Sequence, residues 1–242
     1  MGQGFLSGGA GARPVFTYWD SEDVSGISEQ IDHWRGSFTG YEVVTPQDAR
    51  ALLVARSPEY LEAFDRIRIA ACRSDISRLL ALDAFGGLYV DSHCRLDDLG
   101  GVASGFDRLE ARDMVVSTRW APNFKKVMPH NSILWSRPGG RIVNLLLDRA
   151  LANLGKKLQD EDRVGFEPYH VWSITGPGVL WQELFDTEAD AGVLKPEWAD
   201  VVATVFEAEN PISRHIYTGY REPGSHWSER QKVERLFGPP RI

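Results

Sequence analysis

From Pro14 onward, short apolar runs alternate with stretches of helical periodicity. Pro14 to Trp19 reads as a buried strand, closed by an acidic turn containing Ser and Gly from Asp20 to Gly26. Ile27 to Trp34 reads as a helix and Tyr41-Glu42-Val43-Val44 as a second strand. Ser57-Pro58 places a cap before a proline at the first helical position, predicting a short helix through Phe64. In the segment that follows, Ile76, Leu79, Leu80, Leu82 and Phe85 form the apolar stripe of one helix. The pair Gly86-Gly87 permits a left-handed cap at its end, and Leu88-Tyr89-Val90 is a short apolar strand. Met114 to Ser117 and Ser132 to Trp135 predict further strands, and Ile142 to Leu158 a long amphipathic helix introduced by Gly139-Gly140. Val201 to Phe206 reads as a late strand or a helix end. Such alternation predicts an α/β fold with a mostly parallel central sheet flanked by helices.

Composition narrows this picture. The 242 residues suffice for one large domain, expected over 13–242, after a glycine-rich, flexible leader from Met1 to Ala12. A formal charge of -7 argues against nonspecific nucleic-acid binding. The charge is uneven, however: Asn210 to Ile242 carries six basic residues against three acidic ones. That balance suits either a diphosphate leaving group or a solvated helix face. Cys72 and Cys94 are too few for a disulfide framework, so a reducing, cytoplasmic setting is expected. Nothing approaches the roughly twenty uninterrupted apolar residues of a membrane span. No signal leader is expected either, and the expected cytoplasmic setting is compatible with peripheral association at the inner membrane face. Hydrolase, kinase and zinc-module readings lose support because no H-E-x-x-H, Walker loop, G-x-S-x-G or paired-cysteine pattern occurs.

Candidate chemistry concentrates between Arg73 and Leu96. Asp75 and Arg78, spaced i and i+3, share a helix face. Side chains alternate across a strand, so Asp91 and His93 are expected to project to one side and Ser92 and Cys94 to the other. An acid and an imidazole then meet at a strand end, a seat for a divalent ion. Imidazole suits manganese, iron or zinc better than magnesium or calcium, so Mn2+ is favoured. Open α/β sheets bind ligands beyond the carboxyl ends of their strands, where Trp19 and Asp91 both fall.

These residues carry a resemblance. Ser74-Asp75, Arg78, Gly86-Gly87, Tyr89 and Asp91 follow, in order, the S-D-x-x-R and G-G-x-Y/W-x-D-x-D pattern of DxD-containing glycosyltransferases. The pattern is that of the capsular-polysaccharide and alpha-mannosyltransferase type, which is similar to the catalytic domains of the glucosylating toxins. The second acid of the DxD is replaced here by His93. Thr175-Gly176-Pro177-Gly178 resembles the family's T-G-P turn, whose glycines let backbone approach substrate. His215 and Gly224-Ser225-His226-Trp227 resemble its closing H and G-S-W, with one histidine inserted.

The resemblance implies a GT-A-type nucleotide-diphospho-sugar transferase, metal-dependent and retaining. Its donor would be a UDP- or GDP-sugar and its acceptor a glycan or a lipid-linked species, in surface polysaccharide synthesis. Asp75 and Arg78 would grip the donor sugar and Asp91 would work with the metal, making these three the catalytic set. Trp19 would stack on the base unless it is a core tryptophan, Tyr89 would reach the donor or pack in the sheet, and Asn131 would lie near the sugar. Trp227 would meet a phosphate and Ser225 the metal, with His226 as a substitute for Ser225; Asp91, His93 and His226 then form the metal set. Two other readings stay open: a noncatalytic sugar-nucleotide or glycan-binding protein with a degenerate DxD, and a transferase that modifies protein side chains.

Overall fold

The computed structural model describes residues 13–97, 99–189, 192–207, 212–214, 224 and 226–239. The expected leader, His215 and Ser225 lie outside them. The first strand is Val15–Tyr18 (β1), followed by Ser28–Arg35 (α1), Tyr41–Val44 (β2), Pro46–Arg56 (α2), Leu61–Arg66 (α3) and Ala70–Phe85 (α4). Next come Gly87–Val90 (β3), Cys94–Leu96 (β4), Leu99–Glu110 (α5), Met114–Ala121 (β5) and Lys126–Ser136 (β6). Arg141–Val164 (α6), Val171–Ile174 (α7), Pro177–Leu184 (α8), Val202–Phe206 (β7), Ile212–Arg214 (β8) and Trp227–Arg230 (α9) complete the order.

Six strands make one mixed sheet, ordered β2-β1-β3-β6-β5-β7. The β1–β2, β1–β3 and β5–β7 pairings are parallel, whereas β6 runs antiparallel to both β3 and β5. Alternation along the strands divides the core between two faces. Phe16 and Tyr18 join Ile76, Leu79 and the α6 residues Leu146 and Leu147 on one face. Val15 joins Ile27, Trp34, Val102 and Phe106 on the other. Helices therefore cover both sides, the layering expected of an α/β fold. Among the described residues no helix is long and apolar enough to cross a membrane.

Several local expectations change. Helix α2, which the apolar pattern does not predict, is set by a capping box: the Thr45 side chain accepts from the Asp48 amide, and the Thr45 amide donates to the Asp48 carboxylate at 3.0 Å. Ser57 makes no side-chain cap bond, and Pro58 opens a short 3-10 turn (Pro58–Tyr60) ahead of α3. Gly86 ends α4 at φ 63°, ψ -155°, a glycine-only region and not the left-handed helical cap. A Cβ on Gly87, at φ 88°, would stand 2.2 Å from the Pro14 carbonyl oxygen, so this residue must be glycine for β1 and β3 to pair. The two predicted strands at Met114 and Ser132 are longer than expected and belong to one antiparallel hairpin, joined by a turn at 122–125. Val202–Phe206 resolves the late segment as a strand.

Candidate functional site

Helix α4 runs toward the sheet so that Asp75 and Arg78, both about 5% exposed, face the carboxyl end of β3. Their i, i+3 spacing yields an ion pair at 3.1 Å, buried where water cannot screen it. Arg78 also reaches Asp91, with Nη1 to Oδ1 at 3.2 Å, so one guanidinium braces two carboxylates. It also donates to the Ser74 hydroxyl at 2.9 Å, to the Ser74 carbonyl from Nε at 3.2 Å and to the Asn131 carbonyl, and its guanidinium carbon lies 4.7 Å from the Tyr89 ring centroid. Asp75 accepts from Asn131 Nδ2 at 2.7 Å and from the Thr175 hydroxyl at 3.0 Å. Burial pushes the Asp75 carboxyl up to about 6, against the pull of Arg78 and these donors.

Beyond β3 the chain turns instead of continuing as a strand. The Cys94 amide donates to the Asp91 carbonyl at 2.8 Å, closing a turn over Ser92 and His93. The strand alternation expected across Asp91 to Cys94 is therefore replaced by turn geometry. Asp91 and His93 nonetheless face each other, with His93 Nδ1 at 4.0 Å from Asp91 Oδ2. Tyr89, buried against Phe16, donates its hydroxyl to Asp91 Oδ1 at 2.8 Å. Thus Oδ1 is occupied by Arg78 and Tyr89, while Oδ2 is turned to the imidazole.

Two cavities meet at Asp91, Arg78 and His93. The first, about 340 Å³, extends past Tyr89 to Trp19, Ser21 and Trp227. Trp19 is half-buried there, its indole N–H donating to the Asp23 carbonyl, which makes it a cavity wall and not a fully buried core residue. The second, about 420 Å³, runs past Asp75 and Asn131 to the β5–β6 hairpin and α7. Trp227 lines both cavities and His226 the second.

Of the metal set, Asp91 and His93 are brought together and His226 is not. His226 Nδ1 caps α9, accepting from the Ser228 amide at 3.3 Å with the Ser228 hydroxyl at 2.7 Å, and its ring tilts over Trp227. Among the described residues no three His, Cys, Asp or Glu side chains gather as a metal group. The Asp91 and His93 pair still fits a divalent ion that takes its other ligands from a substrate: an oxygen and a nitrogen face each other beyond hydrogen-bond distance, on a wall shared by both cavities.

Several residues escaped the sequence pattern. Thr175 was noticeable only as part of a glycine turn, yet its hydroxyl holds Asp75. The turn's glycines serve Trp172: a Cβ on Gly178 would stand 2.5 Å from the indole Cε3. His130 is buried beside Asn131, with Nδ1 at 2.6 Å from the Ser132 hydroxyl, and burial pushes its imidazole down to about 3, leaving it neutral. In the first cavity the Tyr18 hydroxyl donates to Asp20 at 2.6 Å and Arg73 pairs with the same carboxylate at 3.1 Å. The Arg73 pairing with Asp20 is one that no local spacing signals.

Residues 22–96 match the sequence model of a family described as glycosyltransferase sugar-binding region containing DXD motif. That span holds α4, β3 and the Asp91 turn, with histidine where the DXD motif has its second acid. Among solved structures the chain is similar to PaToxG glycosyltransferase, at 17% identity over 71% of this chain and 69% of that one, with a TM-score of 0.46. It is also similar to the UDP-bound glycosyltransferase domain from the YGT toxin, at 13% identity over 89% of this chain and 59% of that one, with a TM-score of 0.40. No curated protein sequence matches the chain.

Proposed function

We propose that this chain transfers a sugar from a nucleoside diphosphate donor to an acceptor hydroxyl. The observation that carries the reading is the brace Asp75–Arg78–Asp91 at the junction of two cavities, inside the segment that matches the sugar-binding family. The base and ribose fit the first cavity, with Trp19 as the stacking wall. The sugar fits the second, where the Asp75 carboxylate and the Asn131 amide meet. A divalent ion held by Asp91 and His93 would neutralise the departing diphosphate. Trp227, on the wall of both cavities, would close over that diphosphate.

Work by these side chains follows from their contacts. Arg78 pulls against the burial that raises the Asp75 carboxyl, and it pairs with Asp91 as well. Tyr89 and Arg78 fix Oδ1 of Asp91, which leaves Oδ2 as the outward ligand atom. Asn131 and Thr175 hold Asp75 in one orientation, so that a sugar hydroxyl would meet a positioned acceptor and not a rotating one.

Release of UDP or GDP from UDP- and GDP-sugars, with Mn2+ and with Mg2+, tests the reading. Turnover should favour Mn2+, and Asp91→Asn should lower it by roughly a hundredfold or more, as loss of several kcal/mol of charge stabilisation requires. Turnover that survives a chelator, or survives Asp91→Asn, removes the proposal. The replacement of the second acid by His93 favours one other reading, a protein that binds sugar nucleotides without transferring them. Metal-dependent UDP binding with no product release would select it.

A further inference from the structure

The far side of the second cavity has a construction that donor binding leaves unused. Arg119 and Ala121, two apart on β5, line it, while Trp120 between them points away and is 53% exposed. The hairpin turn sets Phe124, 58% exposed, against Trp172 of α7, with ring centroids 6.3 Å apart and planes at 18°. Met128, across from Arg119 in the hairpin register, is buried and also lines the cavity. This wall therefore couples an aromatic surface to a guanidinium. The Arg119 side chain is half-buried and, among the described residues, makes no hydrogen bond or ion pair, while its backbone belongs to the hairpin ladder opposite Met128. Arg78 is different, since its charge is matched by Asp75 and Asp91.

Resting on the transferase reading, we propose that this wall is the acceptor subsite and that the acceptor is a sugar carrying an anionic group, a carboxylate or a phosphate. The apolar C–H face of a pyranose lies well on Phe124 and Trp172, which offer large rigid area at little conformational cost. A planar, permanently charged guanidinium pairs in bidentate fashion with either anion. The cavity that this wall lines shares Arg78, Asp91 and His93 with the Trp19 cavity, so an acceptor hydroxyl held there would approach the junction where the sugar would leave the diphosphate. In the net step the hydroxyl oxygen bonds to the anomeric carbon, the bond from that carbon to the diphosphate breaks, and the hydroxyl proton leaves with the diphosphate. A neutral sugar would gain the aromatic contact but leave Arg119 without its anion.

The test is ligand binding by saturation-transfer NMR, on the full chain without any donor. Methyl β-D-glucuronide and glucose 6-phosphate are the anionic probes, and methyl β-D-glucoside is the neutral one. Either anionic probe should bind at least tenfold more tightly than the glucoside, and which one does so separates carboxylate from phosphate. Arg119→Gln should erase that difference while Arg119→Lys keeps part of it. Phe124→Ala should weaken all three probes and Phe124→Tyr should not. Equal binding of the neutral and anionic probes, or an unchanged preference in Arg119→Gln, overturns the proposal. So does displacement of the anionic probes by UDP, because Arg119 would then belong to the diphosphate. The measurement needs no turnover, so failed donor hydrolysis would indict the transferase reading, while failed probe binding beside intact hydrolysis would indict this one.

Discussion

The two cavities that meet at Asp91 are built in opposite ways. Much of the Trp19 cavity comes from one stretch of chain, Ile69 to His93, with the end of β1 beside it. The hairpin cavity is assembled from Asp75, the 119–132 hairpin, α7 and the start of α8, and His226. One arises from a helix, a glycine turn and a strand that follow each other directly. The other exists only after an antiparallel hairpin and two short helices have packed. A contiguous site can be read from spacing, whereas an assembled site is set by tertiary contacts that no local pattern encodes.

Arg78 is among the residues common to both, and its removal gives the largest effect. Arg78→Leu leaves Asp75 and Asp91 without the charge that lies 3.1 and 3.2 Å from them. The uncompensated charge on buried Asp75, with a smaller share from the partly buried Asp91, should cost about 3–5 kcal/mol in urea unfolding at neutral pH, and both cavities should lose ligand binding together. If only one cavity is affected, the brace is not shared and the junction works as two independent halves. Arg78→Lys should recover part of the stability while losing the second of the two simultaneous pairings.

A change confined to the hairpin side should be smaller and one-sided. The Cβ of Gly178→Ala would enter the Trp172 ring at 2.5 Å and its carbonyl at 2.6 Å. Overpacking of this kind should cost roughly 1–3 kcal/mol in the same unfolding assay. Trp172 would shift and with it the stack on Phe124. UDP binding, measured by calorimetry, should remain within about twofold of the parent protein, since Trp172 lies outside the Trp19 cavity. A UDP affinity that falls as far as the stability would show that the cavities are not separable.

What the sequence discloses follows the same division. The strands Tyr41–Val44 and Gly87–Val90 and the helices around Trp34, Leu79 and Leu146 stand close to where apolar periodicity puts them. Helix α2 is harder to see because of eleven residues only Ala49 and Leu53 are buried, so its apolar stripe is thin and its capping box decides it. In β6 the run through Ile133, Leu134 and Trp135 is legible as a strand but not as an antiparallel one. Direction depends on the turn at 122–125, where Lys125 takes φ 51° with no glycine to announce it. At the site, Asp75, Arg78 and Asp91 announce themselves by spacing and their mutual brace is local. Asn131 and Thr175 reach Asp75 across sequence separations of 56 and 100 residues, and neither has a neighbour pattern that names its partner. His226 shows the converse case: next to Ser225 and Trp227 it suggests a metal ligand, and its Nδ1 has a second role, as the cap of a short helix, that the sequence does not announce.

The smallest effect concerns acid, and here the two buried titratable groups of the hairpin cavity oppose each other. His130 is held at about 3 in the fold against 6.5 unfolded, so the unfolded chain binds the extra proton between those values. Its contribution to stability is present above pH 6.5 and declines as pH falls. Asp75 is held at about 6 against 3.8 unfolded, so there the folded chain binds the extra proton. Its contribution grows as pH falls through 6 toward 3.8. Between about pH 7 and pH 5 the two should largely cancel, leaving a shallow profile. His130→Asn, whose amide can still meet the Ser132 hydroxyl, should remove the first trend and make the protein relatively more stable toward acid, by on the order of 1 kcal/mol. Asp75→Asn should remove the second and steepen the acid loss. Thermal unfolding of the three proteins across this range checks the pair of signs. A His130→Asn variant with the parent's slope would mean that the imidazole takes up its proton alike in the folded and unfolded chain, and then in acid the cation on the hairpin wall would not be Arg119 alone.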